Sequence, residues 1–305
     1  PFLLFVSLSS FFSGILNSNN KFAAASAAPI ILNIFLIISI LISYFYDLDV
    51  AKHLSYGVTF AGVTQLIFLI YFTYDFYRPN ISVSFKITGR VKFFFKKLLP
   101  SVFSSGVTQI NILVGTIIAS FQPGAVSFLY YADRVYQINL AIAGIAVGTV
   151  SLPVLSKALK LKNYSKASNI QNRAIQLSLL LSIPASLGLI IASEEIVNGL
   201  FGYGTFTLKD VEKTSNALMF FGYGVVAFAL VKILSNFFFA RDNTKTPFYI
   251  SSFIVFLNVV ISLSLFEKIG FLIIPIATSI STWIGVLIFS YFLIKKNYFL
   301  LQSDL

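Results

Sequence analysis

Residues 121–160, FQPGAVSFLYYADRVYQINLAIAGIAVGTVSLPVLSKALK, decide how the chain is read. The stretch opens on a Pro123-Gly124 turn, runs from Ala125 to Leu152 without a proline, and ends among lysines. At ~1.5 Å rise per residue, an α-helix of that length crosses a hydrocarbon core of ~30 Å. Asp133, Arg134 and Gln137 interrupt otherwise apolar sequence. Ser127, Tyr130, Arg134, Gln137, Ala141, Gly144, Gly148 and Ser151 follow one another at steps of three or four, the spacing of one helix face. That face is polar at one end and small at the other. Phe128, Leu129, Val135, Leu140, Ile142 and Val147 occupy the other faces.

Working outward, apolar runs of this kind recur along the whole chain. Hydrophobic residues make up 57% of it and charged residues 11%, well below the charge of a soluble domain. The reading is an all-α, polytopic transmembrane helical bundle. A β-barrel would need short alternating strands, and none are visible. The 34 Phe and 15 Tyr suit lipid-facing and interfacial surfaces. With no Cys, disulfides, thiol nucleophiles and thiolate metal sites are excluded. The chain starts at Pro1 inside an apolar run with no charged leader, which reads as a fragment whose beginning lies upstream.

About nine spans are expected, at 1–17, 25–46, 51–77, 97–121, 125–153, 172–192, 212–239, 246–265 and 270–294. The loops after the odd-numbered spans hold sixteen of the 22 Lys and Arg. The opposite loops hold only Lys52, Lys209, Lys213 and Lys268, with most of the acids. By the positive-inside rule the basic side is cytoplasmic. The same asymmetry accounts for the net charge of +11, so no nucleic-acid partner is expected and membrane lipids are. The basic segment 78–96 divides the chain. Residues 1–77 form one group of three spans, 97–296 a group of six, and 297–305 a polar tail.

Intramembrane charge singles out the candidate site. Arg134 lies about nine residues into its span, ~13 Å along the axis. An arginine there costs at least ~2.5 kcal/mol to insert, so it should face a cavity or a partner. Its planar fork of donors suits phosphate or carboxylate. An ion pair with Asp133 that only holds helices together is the alternative. Asp133 could tune Arg134, and Gln137, one turn on, could extend a polar site or bond a neighbouring helix. Ser127 and Tyr130 share the face. Lys232 could line the same cavity or snorkel to the interface. Gly144 and Gly148 form a GxxxG that lets another helix approach closely, for packing or as a hinge. Gln109, Asn111, Thr116 and Ser120 make the fourth span polar on one side, and Gly115 leaves a gap in it. His53 reads as interfacial, and Gly57 and Pro184 as bends. No nucleotide, hydrolase or metalloprotease motif is present, so no catalytic residue and no metal site is expected.

The segment SFLYYADRVYQINLAIAGIAVGTVSLPVLSK resembles the signature of the MurJ/MviN lipid II flippases, within the multidrug/oligosaccharidyl-lipid/polysaccharide exporter superfamily. SGILNSNNKFAAASAAPIILNI, NILVGTIIASF, LFGYGTFTLKDVEKTSNAL and VKILSNFFFARDNTKTP resemble other family segments in the same order. The resemblance implies a two-lobed, fourteen-helix exporter of which this chain carries helices four to twelve, with an incomplete N-lobe at 1–77, an inter-lobe linker at 78–96 and the C-lobe at 97–296. It implies a transporter, not an enzyme, in the bacterial cytoplasmic (inner) membrane. The implied substrate is the undecaprenyl-diphosphate-linked disaccharide-peptide, lipid II, moved by alternating access for cell-wall synthesis. Arg134 matches the family's cavity arginine and Asp133 its acidic neighbour. Gln137 stands where some members have glutamate. Gly115 occupies a position where other members have Asp or Asn and where a sodium site is placed, which argues against sodium coupling; no other cofactor is implied. Another exporter of the superfamily, for drugs or a different lipid-linked glycan, and a non-transporting membrane scaffold are the alternatives.

Overall fold

In hydrocarbon, only a helix or a closed barrel satisfies every backbone N–H and C=O. The computed structural model describes residues 1–19, 21–77, 89, 91–92 and 109–299, and every regular element among them is helical. Most of segment 78–96, the first half of the expected fourth span and residues 300–305 lie outside the described residues. Six stretches are long and apolar enough to cross a membrane, and one of them, Lys245–Lys295, holds two successive helices. Two shorter apolar helices, Phe2–Ser18 and Gln109–Ser120, stand where the first and fourth spans were expected.

The chain divides into two compact units, Pro1–Ile87 and Thr88–Leu305. The first contains α1 (Phe2–Ser18), α2 (Phe22–Phe45) and α3 (Val50–Thr73), with α3 packed against both others. Phe12, Leu16, Ala28 and Leu69 are its buried centre. Gln65 Nε2 donates to the Ala28 carbonyl at 2.8 Å, a buried polar tie between α3 and α2. Asp49 caps α3 by accepting from the Lys52 N–H at 3.2 Å. His53 Nδ1 lies 2.9 Å from the Asp49 carbonyl in the same first turn.

The second unit is built around one helix. Its elements are α4 (Gln109–Ser120), α5 (Ala125–Leu140), a π-helical turn (Ala141–Ala146), α6 (Val147–Lys160), α7 (Tyr164–Ile191), α8 (Ser193–Phe201), α9 (Leu208–Phe239), α10 (Lys245–Ile269), a 3-10 turn (Gly270–Leu272) and α11 (Ile273–Lys295). Helix α9 packs against α5, α6, α7, α8 and α11. Its buried positions run from Val211 to Phe238, so it is apolar on most of its circumference, as a central helix must be.

Two helices begin earlier than apolar content indicated, because polar caps start them. Asn163 Oδ1 accepts from the Lys166 N–H at 3.0 Å and opens α7 at Tyr164. Thr207 and Asp210 form a reciprocal capping box at the start of α9. The outer loop expected after the sixth span contains the nine-residue α8. The helices run continuously through Gly57 and Pro184. Regular α geometry is broken at Ala141–Ala146. Just after α11, Phe299 is 7% exposed, and Tyr298 offers its carbonyl to Gln171 Nε2 at 3.0 Å and Arg241 Nη2 at 2.6 Å.

Candidate functional site

Helix α5 starts after Gly124, whose φ of +76° lies in the left-handed region that glycine enters at little cost. From there its residues divide among three directions. Ala125, Phe128, Ala132 and Val135 are buried in the core shared with α9. Tyr136 backs that core by stacking on Phe221, centroids 4.6 Å apart. Tyr130, Asp133 and Gln137 face a cavity of about 490 Å³.

The other walls of this cavity come from α4, α10 and α11. Asn111, Gly115 and Thr116 contribute from α4, Asn258 and Ser262 from α10, and Thr278 from α11. Asn258 Nδ2 donates to Asn111 Oδ1 at 2.9 Å and to Thr278 Oγ1 at 3.2 Å. Ser262 Oγ donates to Asn258 Oδ1 at 3.3 Å. One amide thus ties three helices together and satisfies itself in the process. At Gly115 an added Cβ would meet only Ile274 Cγ2, at 3.7 Å, so the gap in α4 is open space on the cavity wall.

Asp133 accepts a hydrogen bond from Gln137 Nε2, its neighbour one turn along. Arg134 points elsewhere, as adjacent residues on a helix must. Its Nη2 donates to Tyr130 Oη at 2.9 Å and its guanidinium lies 4.6 Å from the centre of that ring. Among the described residues Arg134 makes no ion pair, and Asp133 is engaged by Gln137 instead. Of the residues singled out from sequence, Tyr130, Asp133 and Gln137 line the cavity, whereas Ser127, Arg134 and Lys232 are exposed and do not.

The small end of the stripe also turns away. Gly144 packs on α9, where an added Cβ would come within 3.1 Å of Ala229 Cα. At Gly148 an added Cβ would come within 2.7 Å of Asn236 Nδ2, which donates to the Gly148 carbonyl at 3.0 Å. Ala141 and Ile145 continue the cavity wall in their place. A π turn bonds i to i+5 and carries an extra residue, so residues beyond it are rotated relative to an α-helical count. The face counted from Ser127 to Ser151 is therefore divided twice: Ser127 and Arg134 leave the cavity side within α5, and Gly144 and Gly148 leave it at and beyond Ala141–Ala146.

Sequence reasoning missed Asn258, Ser262 and Thr278. The signal for Asn258 was present, a lone amide in the apolar run SSFIVFLNVVISL. The site offers amides, hydroxyls and one carboxylate, with a guanidinium on the adjoining face. Among the described residues no group of three His, Cys, Asp or Glu could hold a metal ion.

Comparison with known proteins places this arrangement. The sequence model described as "Lipid II flippase MurJ" matches residues 1–304. A probable lipid II flippase MurJ of Rickettsia prowazekii (strain Madrid E) is 38% identical over 304 residues, covering 95% of this chain and 57% of the relative. The corresponding protein of Rhizobium meliloti (strain 1021) is 37% identical, covering 94% of this chain and 54% of the relative. The chain therefore spans little more than half the length of these relatives. A solved lipid II flippase MurJ in an inward closed conformation superposes with a TM-score of 0.83 at 28% identity, covering 98% of this chain and 62% of that one. An inward-facing MATE family transporter of the MOP superfamily superposes with a TM-score of 0.81 at 14% identity, covering 96% and 68%, and shares the fold alone. A family match over nearly the whole sequence, on a helical bundle with this polar α5, means that the chain belongs to the MurJ family of lipid II flippases.

Proposed function

We propose that the chain is part of a flippase, not an enzyme, that carries lipid II from the inner to the outer leaflet of the bacterial cytoplasmic membrane by alternating access. The observation that carries this reading is Arg134, a guanidinium within a membrane-spanning helix whose one hydrogen bond among the described residues is to Tyr130. One of its five N–H donors goes to Tyr130, which leaves the rest for an anion. A diphosphate presents several charged oxygens at the spacing a planar fork can accept. Tyr130 holds the guanidinium plane from one side. Asp133 and Gln137, on the cavity wall, supply hydrogen-bonding groups that sugar hydroxyls and peptide amides would need. Residues 1–77 and 97–296 serve as parts of two lobes that rock against each other, joined through 78–96.

The scheme draws on no sodium ion, since Gly115 brings no side-chain ligand to the cavity wall. The test is made in the full-length protein. Arg134→Ala should abolish support of growth when the resident flippase is depleted, with the variant still inserted in the membrane. Arg134→Lys, a point charge without the fork, should restore it only partly. Normal growth of the Arg134→Ala strain at normal expression would overturn the role given to Arg134.

A further inference from the structure

We propose that the turn between α6 and α7 is a binding site for the headgroup of an anionic phospholipid. A cavity of about 420 Å³ opens at this turn. Its floor is apolar, made by Pro153, Val154, Ala158 and Leu161, and the cationic side chains of Lys157 and Lys166 also line it.

The turn is fixed in shape. Lys162 takes a left-handed φ of 55°, its N–H donates to the Leu159 carbonyl at 3.0 Å, and the Asn163 N–H donates to the Ala158 carbonyl at 3.0 Å. This is the paired closure of a Schellman motif, and it holds the ends of α6 and α7 at a set distance. No acid occurs in the sequence between Asp133 and Glu194, and among the described residues neither lysine forms an ion pair. The floor is open to its surroundings: Val154 is 45% exposed and Leu161 70%, and the neighbouring Tyr164 is 67% exposed.

An apolar floor beside two free cations calls for a ligand that carries both an acyl chain and a phosphate. Inorganic phosphate would use the lysines and leave the floor in water, at the cost of its apolar area. Basic pockets between helices on the cytoplasmic side recognise anionic lipid headgroups through this combination. The inference rests on the orientation read from the lysine and arginine distribution, not on the transported substrate. A lipid seated here would hold the inner end of the helix that carries Asp133 and Arg134 at its other end.

The test is native mass spectrometry of the purified full chain with phosphatidylglycerol, with phosphatidylcholine of the same acyl chains, and with glycerol 3-phosphate as competitor. Phosphatidylglycerol should bind in preference to phosphatidylcholine and resist displacement by glycerol 3-phosphate. Lys157→Gln/Lys166→Gln should weaken it about 25-fold, roughly five-fold per lysine. Lys157→Arg/Lys166→Arg should retain binding, and Lys209→Gln/Lys268→Gln, which removes the same charge from the opposite loops, should leave it within about two-fold, the scale of a distant screened charge. Equal binding of both lipids, equal loss in the opposite-loop variant, or displacement by glycerol 3-phosphate would overturn the proposal.

Discussion

Substituting Gly144 tests whether α5 and α9 meet backbone to backbone at the π turn. A Cβ at this position would lie 3.1 Å from Ala229 Cα and 3.1 Å from Leu140 Cδ1. Leu140 can rotate out of the way. Ala229 is fully buried in the central helix, so its main chain can yield only if α9 moves. Alanine brings about 1 kcal/mol of helix propensity over glycine. Overpacking a close contact costs about 1–3 kcal/mol. Gly144→Ala should therefore lose about 1 kcal/mol net, and Gly144→Leu about 3 kcal/mol or more, since it adds bulk at the same contact. Gly188 is the control: nothing lies within 4 Å of its added Cβ, so Gly188→Ala should gain up to about 1 kcal/mol. The two alanine variants then differ by about 2 kcal/mol, roughly 30-fold in the ratio of folded to unfolded protein. The assay is SDS titration of the purified protein in mixed micelles, followed by the fluorescence of Trp283. It is the single tryptophan, and its Nε1 donates to the Tyr223 carbonyl at 2.9 Å, so it reports on α11 leaving α9. Gly144→Leu unfolding at the wild-type SDS concentration would refute the close approach.

Two further outcomes use the same titration. Asn258→Ala should destabilise by about 1–2 kcal/mol, the sum of its hydrogen bonds at ~0.6 kcal/mol each with some loss of packing, and a cycle with Asn111→Ala should show coupling of about 0.6 kcal/mol, so strict additivity would contradict the three-helix tie. Gly270→Ala should cost about 1–3 kcal/mol, because φ +73° and ψ −155° belong to glycine alone and the new Cβ would press within 2.8 Å of Gln122 Oε1, which accepts from the Phe271 N–H; a neutral result would refute that conformation.

The spans were legible because the membrane is a simple solvent. Any stretch that crosses it must be helical and apolar, and both properties are written locally. Charge inside such a stretch was legible for the same reason, which is why Asp133 and Arg134 stood out. The helix starts at Tyr164 and Leu208 were not, since a capped first turn is polar and a scan for apolar runs ends before it. The far wall of the cavity was hidden for a different reason: Asn258 meets Asn111 across 147 positions of sequence, and nothing local to either reports the other. The π turn was the least visible of all. AIAGIA is apolar throughout, so it carries no polar pattern whose phase could be seen to slip.

The way α5 divides its own residues changes what Arg134 is. If the stripe were one face, arginine and glycines would look into one cavity, and the arginine would be explained by it. Instead Ala132 and Val135 seal α5 against α9, Asp133 and Gln137 take the cavity, and Arg134 is left on the remaining side. Tyr130 supplies one hydrogen bond and a cation–π contact, the latter worth about 0.5–2 kcal/mol. The other N–H donors of the guanidinium would each cost several kcal/mol if left in hydrocarbon. Tyr130 alone therefore cannot account for the residue. Under the proposed function, the Arg134 side of α5 meets water or an anion, which takes the donors that Tyr130 leaves over.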